Sequence, residues 1–297
     1  MRRRHLRART LMRGIIAILP AAKLAAIAGP VAVWATVAAA AQVTDPAPGP
    51  LRIIGGPATS GCIAGAVSLP SEAPGLQTIH GSRSAFWGAP ATIAELELLG
   101  REAAAAGLPR LLIEDISRPR GGPLPGGHVS HQIGLDADVG LDMRPRGKLE
   151  AASRETVELA SVVRADQRDV DPSVWLPRVA TLLHLAANLP EVDRILVNPA
   201  IKRQLCRDAG GATAGGDGGW LRLIRPWYGH AAHMHIRFRC PDGQTDCVQA
   251  PPPPAGDGCD ATLQWWFDQL DAPARPETPY RPPSVPTACK AILDGAG

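Results

Sequence analysis

The sequence lacks the short motifs that identify several common enzyme classes. No His-Glu-x-x-His pair is present, which excludes the zinc site that one helix and its glutamate base provide. The Gly-x-Ser-x-Gly and Ser-x-x-Lys signatures of serine hydrolases are also absent. Because no Gly-x-x-x-x-Gly-Lys-Ser/Thr loop is present either, the glycine-rich residues 210–219 indicate a flexible insertion rather than a phosphate-binding loop.

Acidic residues are absent from the first 23 positions, which hold seven basic ones. The whole chain has 31 basic and 28 acidic residues, a formal charge of +3. Without those positions, 24 basic residues remain against the same 28 acids, a charge of −4. The body of the protein is therefore mildly acidic, and its charge gives no support for nucleic-acid binding.

The first 41 residues have the composition of an export signal. A basic segment, residues 2–13, precedes an almost wholly apolar one, residues 14–41, which ends in small residues before Gln42. This order predicts a signal peptide that is cleaved near Gln42, followed by one domain at residues 42–297. An uncleaved membrane anchor is the alternative, since residues 24–41 come near the lower limit for crossing a bilayer.

The cysteines agree with export. No Cys-x-x-Cys pair is present, so a zinc ribbon is disfavoured. An even number of cysteines in an exported chain predicts three disulfides, although spacing alone leaves all pairings open. Free structural cysteines are the alternative. The six residues are Cys62, Cys206, Cys240, Cys247, Cys259 and Cys289.

Helical and extended patterns are interleaved along the body without a regular rhythm. The spacing of Thr92 and Glu95 predicts a capping box, and Asn198 precedes Pro199 as a helix start. We therefore predict an α+β fold: a single domain with a central, mainly antiparallel sheet, flanking helices and a loop-rich, disulfide-bridged periphery. The predicted helices are 92–106, 154–164, 175–188, 199–210 and 260–270, and the predicted strands are 110–116, 194–197 and 233–240.

Five of the eight histidines fall in two short clusters, which are His128 with His131 and His230 with His233 and His235. Alternate residues of a strand point to the same side, so the two histidines of the His-x-His pair can address one point. Asp136 and Asp138 share a side in the same way. In the first cluster, a turn at Gly134 can bring His131 and Asp138 round one ion.

Imidazole nitrogens and a carboxylate oxygen form a ligand set that suits Zn²⁺. A catalytic zinc needs three protein ligands and one open position. His131, Asp138 and one histidine of the His-x-His pair supply that set. Either cluster alone is more often a polar loop or an exposed strand, but the two together indicate a metal site.

Four segments of the chain carry a family resemblance. They are GHVSHQIGLDADVGL (127–141), VNPAIKRQLC (197–206), RPWYGHAAHMHIRFRCP (225–241) and PPPPAGDGCD (251–260). Together they resemble the penicillin-insensitive murein endopeptidases, which belong to the zinc peptidases typified by lysostaphin-type enzymes, D-Ala-D-Ala metallopeptidases and Hedgehog-like folds. The resemblance covers roughly residues 51–293, and the order of the segments makes it more specific than the His and Asp spacing alone.

The resemblance implies a role for each candidate site residue. The zinc ligands would be His131, Asp138 and His235, with His233 and His230 as catalytic histidines. His128 and Asp166 would be further metal-site residues. The family has a histidine where this chain has Asp169, and that departure puts a second metal position in question. The implied disulfides are Cys62–Cys289, Cys206–Cys259 and Cys240–Cys247.

The implied activity is zinc-dependent hydrolysis of the D-alanyl–meso-diaminopimelyl cross-links of peptidoglycan in the periplasm. β-Lactams acylate a serine nucleophile, which a zinc peptidase does not use, so we expect insensitivity to penicillin. Two alternatives remain: a D,D- or L,D-carboxypeptidase of the same zinc group, or a catalytically inactive cell-wall-binding module. Peptidoglycan is the expected partner, with no nucleic acid and, if the signal is cleaved, no stable membrane association. The oligomeric state is open.

Overall fold

Short strands and helices follow one another along the part of the chain that the structure describes. The computed structural model describes residues 44–56, 60–124, 129–209, 219–272 and 284–295, so the predicted signal or anchor and most of the predicted flexible insertion lie outside it. None of the described helices is long and apolar enough to cross a bilayer. The strands are β1 (Arg52–Ile54), β2 (Cys62–Ala64), β3 (Val67–Ser68), β4 (Glu72–Ala73), β5 (Leu76–Thr78), β6 (Trp87–Gly88), β7 (Leu111–Ile113), β8 (Asp136–Gly140), β9 (Val192–Val197), β10 (Ile224–Pro226) and β11 (His233–Phe238). The helices are α1 (Pro90–Ala105), α2 (Ala151–Thr156), α3 (Pro177–Ala187), α4 (Pro199–Asp208), α5 (Ala261–Asp271) and α6 (Lys290–Asp294), with 3-10 turns at Gly81–Arg83, Gly219–Leu223 and Thr287–Cys289.

Seven of these strands form the central sheet, in the order β10-β9-β11-β8-β7-β5-β4. The pairs β10/β9 and β5/β7 are parallel, and the other four pairs are antiparallel. Two small antiparallel sheets, β1/β2 and β3/β6, lie outside it. The predicted α+β fold with a mainly antiparallel sheet is therefore confirmed.

The two faces of the central sheet differ in character. On β11, Met234 and Ile236 are fully buried in the main core, into which α1 and α3 also direct their leucines. The intervening residues His233, His235 and Arg237 point to the opposite side. The alternation of β11 thus leaves one face to hold the helices and the other to carry polar groups, as the sequence predicted.

Helix α1 begins two residues earlier than its sequence pattern suggested. Pro90 occupies the first turn, and Ala89 is the N-cap residue without a side-chain hydrogen bond. Thr92 is buried inside the helix, and its Oγ1 has no hydrogen-bond partner. The predicted capping box is therefore wrong. The proline, which has no N–H to satisfy and a preset φ, takes over the role of starting the helix.

Only the first three residues of the predicted helix 154–164 are helical. They belong to α2, which begins at Ala151 and ends at Thr156. Val157 is already extended. Beyond it, the backbone bonds to other segments: Val162 N–H donates to Ala231 O at 2.8 Å and Arg164 N–H to Asp169 O at 2.9 Å. Tertiary hydrogen bonds thus replace the helical ones that local propensity favoured.

Three other helices lie close to their predicted places. Helix α4 begins as predicted, with Pro199 at its start and Asn198 Oδ1 accepting the N–H of Ala200 at 3.0 Å. Asp260 caps α5 in the same way through the N–H of Thr262. Helix α3 buries Leu182 and Leu183 against the sheet. The start of α4 was readable from the sequence, whereas α3 begins two residues later than predicted.

The six cysteines form three disulfides, and the pairing is the one that the family resemblance implied. Cys62–Cys289 joins β2 to the chain just before α6. Cys206–Cys259 joins α4 to the segment before α5. Cys240–Cys247 closes a short loop after β11. The first two bridges hold the C-terminal part of the described chain to the sheet domain.

Candidate metal centre

Two adjacent strands carry the centre of the site. Strands β8 and β11 are antiparallel, and their register places His235 directly opposite Asp138. His235 Nδ1 lies 3.0 Å from Asp138 Oδ1. Both side chains are almost fully buried. Strand pairing thus brings an imidazole and a carboxylate from the two sequence clusters into contact.

The third residue, His131, reaches the same point from the turn that precedes β8. Gly134 in this turn has φ +71°, and a Cβ there would lie 3.0 Å from Gly88 Cα and 3.1 Å from Ala89 N. The turn therefore requires glycine both for its backbone conformation and for the close approach of other backbone. His131 also has a positive φ, 63°, which few non-glycine residues adopt. The predicted turn at Gly134 is confirmed.

Backbone groups orient the His131 side chain. Its Nδ1 donates to Ile116 O at 3.1 Å, because a carbonyl oxygen can only accept. Its Nε2 therefore faces Asp138, whose Oδ2 lies 3.2 Å away. The backbone N–H of His131 donates to Asp136 Oδ2 at 3.2 Å. The ring is thus held with Nε2 directed at the carboxylate that His235 also contacts.

The three side chains form a group that fits a cation. One ligand atom from each of His131, Asp138 and His235 lies within 4.8 Å of the other two. Asp138 Oδ1 is buried and accepts no hydrogen bond, although His235 Nδ1 lies 3.0 Å from it. A buried carboxylate oxygen without a donor is costly, and a metal ion would supply a positive partner. The donor set of two imidazole nitrogens and one carboxylate oxygen suits Zn²⁺.

The electrostatics of the group also favour positive charge. Burial by itself would raise the pKa of Asp138, but the imidazoles of His131, His235 and His233 outweigh burial and hold the pKa well below its usual range. Burial by itself would lower the pKa of His131, but Asp138, followed by Asp136, raises the pKa to about 9. The buried carboxylates therefore demand a cation among them, which is a proton when no metal is bound.

Asp136 and Arg237 form a second layer behind His235. His235 Nε2 donates to Asp136 Oδ1 at 2.9 Å, and Arg237 Nε donates to the same oxygen at 2.8 Å. Burial would raise the pKa of Asp136, but Arg237 and then His235 lower it far below its usual range. The sequence assigned neither residue a role, although the alternation of Asp136 with Asp138 was a signal that both face the site.

Two more histidines lie beside the group. His233 Nε2 is 3.7 Å from Asp138 Oδ2, and the His230 ring is 5.3 Å from the His233 ring and 5.6 Å from the His235 ring. His230 Nδ1 donates to the carbonyl oxygens of Trp227 and Tyr228. Burial, followed by the neighbouring histidines, lowers the pKa of His230 to about 4, so this imidazole is neutral at pH 7.

Of the other two predicted metal-site residues, only Asp166 is described by the structure, and it is not part of this group. His128 lies outside the described residues. Asp166 is exposed, and its Oδ1 accepts the N–H of Arg168 at 2.9 Å. Asp169, at the position where the family has a histidine, forms an ion pair with Arg207. In the described part of the chain, only His131, Asp138 and His235 come together as a metal-ligand set.

An open cavity of about 680 Å³ lies above the group. His230 and His233 line it together with the three grouped residues. Its wall also contains Trp227 and Trp266, whose ring centroids are 5.9 Å apart. Three arginines, Arg194, Arg225 and Arg237, also line the cavity and would favour a negatively charged ligand. The cavity gives a substrate access to the metal-ligand group.

A buried His/Asp/His group at the base of an open cavity, flanked by two further histidines, is the kind of site that metal-dependent hydrolases use. The fold and the site are thus those expected of the metal-dependent hydrolase class. A family model described as penicillin-insensitive murein endopeptidase matches residues 53–294. The chain belongs to this family, and the resemblance that the four sequence segments indicated is confirmed.

Individual relatives agree over most of the chain. A penicillin-insensitive murein endopeptidase of Klebsiella pneumoniae subsp. pneumoniae is 41% identical over 253 residues, which are 85% of this chain and 90% of that protein. Proteins of the same name from Salmonella heidelberg and Escherichia coli O1:K1 / APEC are 42% and 39% identical, with the same coverage. The similarity includes both strands that carry the metal-ligand group.

Proposed function

We propose that this protein is a zinc-dependent endopeptidase that hydrolyses the D-alanyl–meso-diaminopimelyl cross-links of peptidoglycan. The observation that carries the proposal is the convergence of His131, Asp138 and His235, with ligand atoms within 4.8 Å of one another under an open cavity. Membership of a family named for murein endopeptidase activity supports the choice of substrate.

The residues around the group would prepare it for Zn²⁺. The carbonyl of Ile116 accepts from His131 Nδ1, and Asp136 accepts from His235 Nε2. These bonds leave the other nitrogen of each ring directed at Asp138, and they fix the orientation of both rings. When bound here, Zn²⁺ supplies Lewis-acid activation of a water molecule and of the scissile carbonyl.

The two flanking histidines would assist the reaction, His230 by proton transfer and His233 by hydrogen bonding. His230 is neutral at pH 7, and because its Nδ1 donates to backbone carbonyls its Nε2 lone pair is available to accept a proton from the attacking water. The same ring then returns that proton to the leaving amine of the diaminopimelyl residue. His233 lines the cavity beside Asp138 and is placed to donate an N–H to the oxygen that gains negative charge.

Purified protein and cross-linked muropeptide dimers provide the test. We expect zinc-loaded protein to convert dimers to monomers, as followed by chromatography, and the His131→Ala and Asp138→Ala variants to leave the dimers intact. Undiminished dimers with zinc-loaded wild-type protein would reject the endopeptidase. Release of free D-alanine from dimers that stay joined would instead identify a carboxypeptidase of the same zinc group. Zinc-loaded protein with no hydrolysis of either kind would indicate an inactive wall-binding module.

We also propose that the protein is exported to the periplasm, with residues 1–41 as the signal or anchor and residues 42–297 as the enzyme domain. The three disulfides support export, because such bridges persist in oxidising compartments. N-terminal sequencing of protein recovered from the periplasm would test both statements. A new N-terminus near Gln42 is expected for a cleaved signal, and protein retained in the cytoplasm would contradict export.

A further inference from the structure

Arg225 lies in the same row of the sheet as the metal-ligand group. Across the neighbouring strands, Arg225 on β10 pairs with Leu196 on β9, and Leu196 pairs with His235 on β11. His235 in turn pairs with Asp138. Paired residues of adjacent strands project from the same face, so the arginine stands two strands, about 10 Å, from His235 on the side of the cavity.

The three arginines of the cavity differ in what they bind. Arg194 Nε donates to Asp193 Oδ2 at 2.6 Å, and another of its nitrogens donates to Pro251 O. Arg237 Nε donates to Asp136. The side chain of Arg225, by contrast, makes no hydrogen bond or ion pair with any residue in the described ranges. Its guanidinium group is therefore the one whose donors are available to a ligand in the cavity.

The surroundings of Arg225 compensate its charge only in part. Burial, followed by the positive charge of Arg194, lowers the pKa of Arg225, and the opposing acid is the exposed Asp260. Gly258 lies against the guanidinium, because a Cβ there would be 3.1 Å from Arg225 Nη1. The backbone at Gly258 thus supports the group on one side while the cavity lies open on the other. An anion entering the cavity would relieve the desolvation of this cation.

We propose that Arg225 binds the free carboxylate of the diaminopimelyl residue, the one attached to the carbon that bears the scissile nitrogen. This inference rests on the proposed function. In that substrate the carboxylate is close to the carbonyl that the metal-ligand group would engage. The row from Asp138 to Arg225 places a cation on the cavity side of the sheet, beside that group. A guanidinium holds a carboxylate through two parallel N–H···O bonds, which gives specificity as well as affinity.

Two substrates that differ at one group test the assignment. Cross-linked muropeptide dimers are prepared with this carboxylate either free or converted to the carboxamide, and kcat/KM is measured for both. We expect wild-type protein to prefer the free carboxylate by about 10- to 100-fold, the range of one charged hydrogen-bonded contact. Arg225→Gln should remove the preference by losing activity on the carboxylate substrate alone.

Arg239→Gln is the matched control, because Arg239 is exposed and bonds to Pro190 O and Glu191 away from the cavity. It should keep the wild-type preference. Equal kcat/KM for the two substrates in wild-type protein, or an unchanged preference in Arg225→Gln, overturns the role of Arg225. Failure of wild-type protein to cleave either dimer rejects the proposed function instead, so the two failures are distinguishable.

A binding measurement covers the case in which Arg225→Gln does not fold. Calorimetry on metal-free protein uses the monomeric tetrapeptide product, with the same carboxylate free or amidated. Wild-type protein and Arg225→Lys should both bind the free form more tightly, the lysine variant with the smaller ratio because it lacks the planar fork. Equal binding of the two forms by wild-type protein overturns the proposal, whatever the fate of the glutamine variant.

Discussion

His235 Nε2 and Asp136 Oδ1 lie 2.9 Å apart, with the residues on adjacent strands and both side chains buried. The carboxylate fixes the ring so that Nδ1 is directed at Asp138. Arg237 donates to the same oxygen of Asp136 and keeps the carboxylate ionised. The orientation of the His235 ring is thus fixed by a residue outside the group that His131, Asp138 and His235 form.

The Asp136→Asn variant should weaken zinc binding by about 10- to 100-fold while leaving three ligands in place. The amide fills nearly the same volume as the carboxylate, but it has no negative charge to hold the N–H of His235 Nε2. Competition with a chromophoric chelator measures the change in Kd. Asp268→Asn is the control, because Asp268 is exposed on α5 and accepts from Gln264. Equal zinc affinities for the two variants would contradict a supporting role for Asp136.

Removal of the proposed ligand His235 should lower zinc affinity more than removal of its supporting residue Asp136. In His235→Ala, the group retains one imidazole and one carboxylate, so most of the metal affinity should be lost. Metal analysis after dialysis against sub-stoichiometric zinc gives the occupancy. Full occupancy in this variant would show that His235 is not a ligand. The same measurement on His233→Ala should give near-normal occupancy if His233 acts on substrate rather than on the metal.

Metal removal should also lower the stability of the fold. His131, Asp138 and His235 converge through the fold, so zinc bound at this group would stabilise the folded state over the unfolded chain, and its removal should lower that stability. The thermal midpoint of unfolding should fall on chelation and recover when zinc is returned. An unchanged midpoint in protein proven by analysis to have lost its metal would contradict a site preformed at His131, Asp138 and His235.

Lys202 should make stability depend on pH. It is fully buried on α4, and its Nζ donates to the carbonyl oxygens of Leu221, at 2.7 Å, and of Asp257. Burial, followed by the charge of Arg225, lowers its pKa from 10.5 to about 7. Between these values the unfolded chain binds a proton that the folded chain does not, so the free energy of unfolding rises with pH and is lowest below pH 7.

Urea unfolding of wild-type protein and Lys202→Met at pH 7 and pH 9 isolates this effect. The stability of wild-type protein relative to the variant should be greater at pH 9, by an amount on the order of 1 kcal/mol per pH unit. Lys290→Met is the control, because Lys290 is 76% exposed and should give the same difference at both pH values. A difference between wild type and Lys202→Met that does not change with pH would refute the shift.

The two bridges of very different span should differ in their contribution to stability. Cys62–Cys289 closes a sequence separation of 227, whereas Cys240–Cys247 closes one of 7. By chain entropy, replacement of both cysteines of the long bridge with serine should cost about 3 kcal/mol more than the same change in the short one. Denaturant unfolding of the two double variants measures this. Equal losses would indicate that the reduced chain keeps the long loop closed by other contacts.

Gly134→Ala should destabilise the protein by about 1–3 kcal/mol and reduce zinc binding. The added Cβ meets backbone of Gly88 and Ala89 at a positive φ, and relief of that clash would move the turn that holds His131. Gly147→Ala is the matched control, since a Cβ there meets nothing within 4 Å. A Gly134→Ala variant with wild-type stability and zinc affinity would show that the turn tolerates a side chain.

Features set by near neighbours in the chain were readable from the sequence. Asn198 before Pro199 gave a helix start, and the alternation of polar and apolar residues in β11 gave a strand with two distinct faces. The capping box at Thr92 and the helix 154–164 failed for different reasons. The first prediction missed Pro90, a local signal two residues earlier, whereas the second was overridden by tertiary hydrogen bonds such as that from Val162 to Ala231.

The sequence by itself determined the residue types of the metal-ligand group, the glycine turn at Gly134 and the two-residue spacing within each cluster. Short-range geometry fixes which side of a strand or turn each of these residues takes. The contact of His235 with Asp138, the support by Asp136 and the place of Arg225 in the same row came from tertiary structure. They depend on the register between β8, β11, β9 and β10. Register between distant strands is set by burial of the whole sheet face, which no local pattern specifies.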